Sequence, residues 1–155
     1  MNEAMTARLY FKSMHGEQVS LAIPGTKYEL HLNPTGPVTP SPQGRVRGVV
    51  RCPVWKVDFV SAGGAYVEPL MGRPRRVQGV VVGRIETSNS VIVEVMGQPI
   101  VGDLPQRWNA ADIAIGTRVG LDVHEGSTFE PASTAAAGAV PGGRERAVVN
   151  LVAPE

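Results

Sequence analysis

Arginine is the side chain in this sequence best placed to do chemistry. Its guanidinium offers five fixed donors that match the oxygens of a phosphate or carboxylate. Three arginines fall within the six residues Met71-Gly72-Arg73-Pro74-Arg75-Arg76, and Arg47, Arg51 and Arg84 flank them. Residues 45–84 hold eight basic side chains against Asp58 and Glu68, while 85–155 hold four basic against nine acidic and 1–44 balance. The whole chain therefore carries only +1 although its middle carries +6. Segregation of this kind marks a polyanion site, or two surfaces of opposite sign that meet in an oligomer. In the nucleic-acid reading, Arg47, Arg51, Arg73, Arg75, Arg76 and Arg84 track a backbone while Trp55 or Tyr66 stacks bases. Against it, arginines on an outer strand face are commonly just solvated, and Trp55 and Phe59 alternate like core residues. An acidic protein partner is the third reading of the same charges.

Other reactive residues form no recognisable machinery. His15, His31 and His124 do not sit at metal-ligand spacing, and the single Cys52 adds little to them. Asp122, His124 and Glu125 cluster at a strand end with no serine or cysteine nucleophile in a recognisable turn. Ser61-Ala62-Gly63-Gly64 is glycine-rich but lacks the lysine and hydroxyl that complete a phosphate-binding loop, so it reads as a hairpin turn. Cys52 alternates inward with Val50 and reads as an inert buried thiol. The expectation is a chain with no catalytic constellation, no metal and no cofactor. Gly72-Arg73-Pro74 also resembles the centre of an AT-hook, but Met71 stands where that motif carries another arginine and a strand follows at once.

These residues must be positioned by β structure. Hydrophobic residues make up 43% of 155 and aromatics only 5%, so the core is aliphatic and rich in valine, whose stiff side chain suits strands. Eighteen glycines and thirteen prolines interrupt any long helix. One cysteine excludes an internal disulfide framework, the N-terminal stretch lacks an apolar leader, and no apolar run is long enough to span a bilayer. A cytoplasmic protein without membrane contact is expected.

Along the chain, 7–14, 19–23 and 28–32 read as strands, and Leu30 and Leu32 share a face opposite Glu29 and His31. Four prolines in 34–44 make a linker or long surface loop between an N-terminal hairpin region, 1–33, and a barrel core, 45–129. Within that core, strands are expected at 45–52, 54–60, 65–70, 77–85, 91–96, 100–104 and 117–124. Asn109 caps at most one short helical piece. The strand at 77–85 is apolar on both faces, which calls for a second layer, a covering loop or a subunit interface. A low-complexity connector, 130–145, leads to a C-terminal strand and tail, 146–155.

Arg45-Val46-Arg47-Gly48-Val49-Val50 is echoed by Arg76-Val77-Gln78-Gly79-Val80-Val81, and Val67-Glu68-Pro69-Leu70-Met71-Gly72 by Val93-Glu94-Val95-Met96-Gly97. The same order in both pairs suggests two related β units side by side. The succession of three strands, a short helix and a strand over about 76–124 resembles the oligonucleotide/oligosaccharide-binding (OB) barrel. It is also similar to the small appended barrels of transporter ATPases and molybdate-binding proteins. Val77-Gln78-Gly79-Val80-Val81 stands at the start and Gly116-Thr117-Arg118-Val119-Gly120-Leu121-Asp122-Val123 near the end. The resemblance covers less than a third of the chain and rests on strand and turn residues, so it implies a fold rather than a ligand. The function expected is therefore a non-enzymatic interaction or assembly module, working as a homo-oligomer or with a protein partner. Single-stranded nucleic acid on the basic 45–84 face, and a small oxyanion or other ligand in the barrel, are the alternatives.

Overall fold

The computed structural model describes residues 2–132. The C-terminal strand and tail expected at 146–155, and the connector from 133 onward, lie outside the described residues. What is described is mainly β: eleven strands in one sheet and three single-turn 3-10 segments.

The strands are β1 (Ala7–His15), β2 (Gln18–Ala22), β3 (Glu29–Pro34), β4 (Arg45–Phe59), β5 (Tyr66–Glu68), β6 (Met71–Gly72), β7 (Arg76–Ile85), β8 (Ser90–Val95), β9 (Gln98–Asp103), β10 (Arg118–Val123) and β11 (Thr128–Pro131). β1, β2 and β3 form an antiparallel meander. β3 then pairs in parallel with β11, β11 pairs with β4, and the first half of β4 returns to β1. A second circuit repeats this order. β7, β8 and β9 form a meander, β9 pairs in parallel with β4, the second half of β4 pairs with β10, and β10 returns to β7. β4 is common to both circuits. Residues 76–124 thus do not close on themselves, because their fifth strand is supplied from 45–59.

β4 corrects the expectation of two strands, 45–52 and 54–60. It runs unbroken through Pro53, whose missing N–H falls where one edge of β4 changes partner from β11 to β10. The register then slips, with Val54 opposite Val123 and Lys56 opposite Asp122. The extra residue of this bulge is Trp55, turned out to 43% exposure. Phe59, at the strand end, is 59% exposed, so neither aromatic belongs to the core as their alternation suggests. The inward set is Val46, Val50, Cys52, Val54 and Val57.

One aliphatic core runs through both circuits, with Leu21, Leu30, Leu32, Val77, Leu121 and Phe129 among its buried members. Each such side chain removed from water contributes about 1.5–3 kcal/mol. A smaller cluster of Met5, Val49, Ile85, Ile92 and Val101 covers a second face of β4, β8 and β9. The second face of β7 is covered only in part: Gln78 donates to the carbonyl of Gly64 at 3.0 Å, whereas Val82 is 40% exposed. Asn109 caps the turn Ala110–Asp112, its side chain accepting from the Ala111 N–H at 3.0 Å. Among the described residues no helix is long and apolar enough to cross a membrane.

Candidate functional site

The six arginines of the expected polyanion face are placed very differently. Arg47 pairs with Glu3 at 2.7 Å in the open. Arg51 donates through Nε and Nη2 to the two oxygens of Asp103, at 3.2 and 2.8 Å, and through Nη2 to Ser88 and Ser90. Arg76 reaches Asp58 at 3.0 Å, Asp122 at 2.9 Å and the Tyr66 hydroxyl at 3.2 Å. Burial opposes its charge, yet those three hydrogen bonds together outweigh burial and hold its pKa above the usual value. The same contact acts on Asp58, where the Arg76 hydrogen bond keeps the carboxyl below the ordinary carboxylate range. Arg84 donates to the carbonyls of Ala111 and Ile113. Arg75 is exposed, with only its backbone engaged. Arg73 is the exception: among the described residues its side chain makes no hydrogen bond or ion pair, and its Nη1 is buried without a partner.

The sequence explains where Arg73 goes. β6 pairs in parallel with β3, Met71 opposite Glu29 and Gly72 opposite Leu30, so the next residue, Arg73, comes alongside His31. Leu30 and Leu32 enter the core, which turns His31 and Asn33 outward. Gln18 at the start of β2 donates to the Asn33 side-chain oxygen at 3.2 Å. Opposite them runs the connection from β10 to β11. It leaves β4 at His124, whose N–H bonds the Pro53 carbonyl at 2.8 Å. It then turns at Gly126 (φ +107°) and docks Ser127 on β3, where the Ser127 carbonyl accepts from the Asn33 N–H at 3.0 Å.

Gln18, His31, Asn33, Arg73, Glu125, Gly126 and Ser127 thereby enclose an open cleft of about 610 Å³, within the range of small-molecule sites. Four buried side-chain polar atoms among the described residues lack a hydrogen-bond partner, and three of them, Arg73 Nη1, His31 Nε2 and Ser127 Oγ, belong to residues that line this cleft. The His31 ring stacks on His15, with centroids 5.0 Å apart, and His15 contacts the Ser13 hydroxyl at 3.0 Å. Ser127, only 4% exposed, lies beside the Cys52 thiol without a formed hydrogen bond; burial pushes that thiol up to about 12. Cys52 is therefore an inert neighbour, not a nucleophile.

A buried donor without a partner costs about 1–3 kcal/mol, so three at one place point to an acceptor from outside. Arg73 brings a fixed positive charge, Ser127 a hydroxyl donor, and His31 a ring nitrogen that donates in one tautomer. Glu125 at the rim opposes a second negative charge. The arrangement suits a single anionic oxygen group. The strand-end trio from the sequence is dispersed: Asp122 is held by Arg76, His124 faces Trp55, and only Glu125 lines the cleft. A smaller hollow of about 330 Å³ between Glu3, Arg8, Glu94 and Pro99 differs in kind, because Arg8 and Arg47 both bind Glu3 and hold its carboxyl below the ordinary range. Comparison with family models, curated proteins and solved structures gives no significant match.

Proposed function

We propose that this chain is a non-enzymatic binding module built as two OB-type barrels that share β4, and that its ligand presents an anionic oxygen group to the cleft between β3 and residues 125–127. The OB reading draws on strand order. In each circuit a three-stranded meander runs parallel, at its third strand, to a strand whose other neighbour returns to the first. OB barrels bind ligands on the face of the second and third strands together with the loop between the fourth and fifth. In the first circuit those strands are β2 and β3, and residues 124–127 end the connection from β4 to β11. The cleft lies there.

The observation that carries the proposal is that three residues lining one cleft, Arg73, His31 and Ser127, each hold a buried polar atom without a hydrogen-bond partner. Titration with inorganic phosphate, followed by amide chemical shifts, tests it. Shifts are expected at His31, Asn33, Arg73 and Ser127, and Arg73→Gln weakens binding at least tenfold, since a hydrogen-bonded charge contributes about 1.5–3 kcal/mol. The variant is expected to be no less stable than the parent, because it removes a buried donor that bonds nothing among the described residues. Phosphate shifts that ignore Arg73→Gln, or none at all, sink the reading.

Self-association is the second reading. It draws on Val82 and Met96, 40% and 42% exposed beside the smaller hollow. Light scattering that gives the formula mass at high concentration removes it.

A further inference from the structure

The cleft does not stand alone. Trp55, ejected from the core by the bulge in β4, has the His124 ring 6.3 Å away at a tilt of 41°. Its carbonyl accepts from Arg107 Nη2 at 2.6 Å, and the same guanidinium lies 4.4 Å above the ring of Trp108. Trp55, an exposed histidine and an exposed arginine thus gather on one surface, and Trp108 packs against the core under Arg107. Trp55 keeps 43% of its area in water. A tryptophan costs apolar exposure when left so, and a flat ring laid on it recovers that cost.

This surface and the cleft share a wall. His124 belongs to the aromatic group; Glu125, Gly126 and Ser127, the next three residues, line the cleft. Three residues of chain span at most about 10 Å, so the aromatic surface and the cleft are close neighbours along this wall. The charge balance of the cleft points the same way. Arg73 and Glu125 both line it, so a monoanion is accepted more readily than a dianion, and the phosphodiester of a nucleic-acid backbone is a monoanion.

We propose that the Trp55–His124–Arg107 surface stacks a nucleobase while the Arg73 cleft holds a neighbouring phosphodiester, so that the ligand is a short single strand of nucleic acid. This rests on the anion-binding reading of the cleft and names its ligand. It places the strand across the outer side of 124–127 instead of along the six arginines of 45–84, four of which are occupied within the fold.

The test uses the full chain and two probes, inorganic phosphate and a six-nucleotide oligothymidylate, with tryptophan fluorescence and amide shifts as readouts. The oligonucleotide is expected to quench fluorescence and to bind at least tenfold more tightly than phosphate. Trp55→Ala weakens the oligonucleotide about tenfold and leaves phosphate unchanged; Trp55→Phe, which keeps a ring, recovers most of the loss. Arg73→Gln weakens both probes and lowers the salt slope of oligonucleotide binding by about 0.7. If phosphate binds through Arg73 but the oligonucleotide binds no tighter, or ignores Trp55→Ala, the nucleic-acid proposal falls while the anion cleft stands. Failure of both probes removes both. Oligonucleotide binding that responds to Arg75→Ala but not to Arg73→Gln or Trp55→Ala moves the strand to the basic face and overturns the proposal. So does a change of oligomeric state on Trp55→Ala with unchanged oligonucleotide affinity, which assigns the surface to a second copy of the chain.

Discussion

The two circuits place polar residues at matching positions and treat them in opposite ways. In the second, Ser90 opens β8 opposite Asp103 at the end of β9, and Arg51 closes over the pair with two hydrogen bonds to the carboxylate. In the first, Gln18 opens β2 and bonds Asn33 near the end of β3, and Arg73 lines the same cleft as that pair. The decisive difference is a single functional group. Asp103 is a carboxylate and neutralises its arginine from within; Asn33 is an amide, already accepting from Gln18, and leaves Arg73 with charge and a donor to spare. A saturated polar cluster holds a fold together, whereas an unsaturated one is available to a ligand.

The largest effect comes from breaking the saturated side. Asp103→Ala removes the carboxylate partner of Arg51 and of the fully buried Ser90, which keep only each other and Ser88, and is expected to cost about 1.5–3 kcal/mol in urea unfolding. A loss below about 0.5 kcal/mol would mean that the cluster is only solvated surface. Converting the first circuit toward the second is the sharper experiment. Asn33→Asp offers Arg73 an internal carboxylate, so phosphate affinity should fall about tenfold while stability holds or rises by about 0.5 kcal/mol. Unchanged phosphate affinity in this variant contradicts the contrast drawn here.

The smallest effect is on the acid limb of stability. The Arg76 hydrogen bond lowers the folded-state pKa of Asp58 below the usual carboxylate value. Its contribution is therefore complete above that usual value, near pH 4, and is lost as pH falls through the folded value. Thermal melts of Asp58→Asn should decline less steeply than the parent below about pH 4. The acid limb of Arg73→Gln should run parallel to the parent's, since among the described residues no carboxylate binds Arg73. Parallel acid limbs for Asp58→Asn and the parent remove the assignment.

Strand identity was legible where alternation is strict. β2, β3, β8 and β10 lie where valine and leucine spacing puts them, and His31 turns outward because Leu30 and Leu32 turn inward. Trp55 was misread because a bulge inserts one residue and reverses the parity of everything after it; that slip depends on β10, more than sixty residues away. The echo of Arg45–Val50 in Arg76–Val81 marks a shared local demand. A Cβ on Gly48 would come within 2.7 Å of the Phe129 ring, and one on Gly79 within 2.8 Å of the Val93 side chain. The strands involved are not equivalent, however: β7 opens its circuit, while β4 is the strand that returns to the first strand of the other.

The site was far less legible. Arg73 stood among the candidate arginines, but no spacing rule separates it from Arg76, three residues on. One is exhausted by Asp58, Asp122 and Tyr66, and the other has no side-chain partner among the described residues. Gln18, Asn33 and Ser127 carried no signal, because amides and hydroxyls on strands are ordinary surface residues until something encloses them.

Composition and alternation by themselves determined a β protein with an aliphatic core and told inward from outward side chains in β3 and the first half of β4. Those features follow from contacts between near neighbours and from the two-residue period of an extended chain. Which strands pair, that β4 serves two circuits, and which arginine is left unpaired were decided only in three dimensions. They depend on groups brought together from positions 18, 31, 73 and 127, and the local sequence around each carries no record of the others.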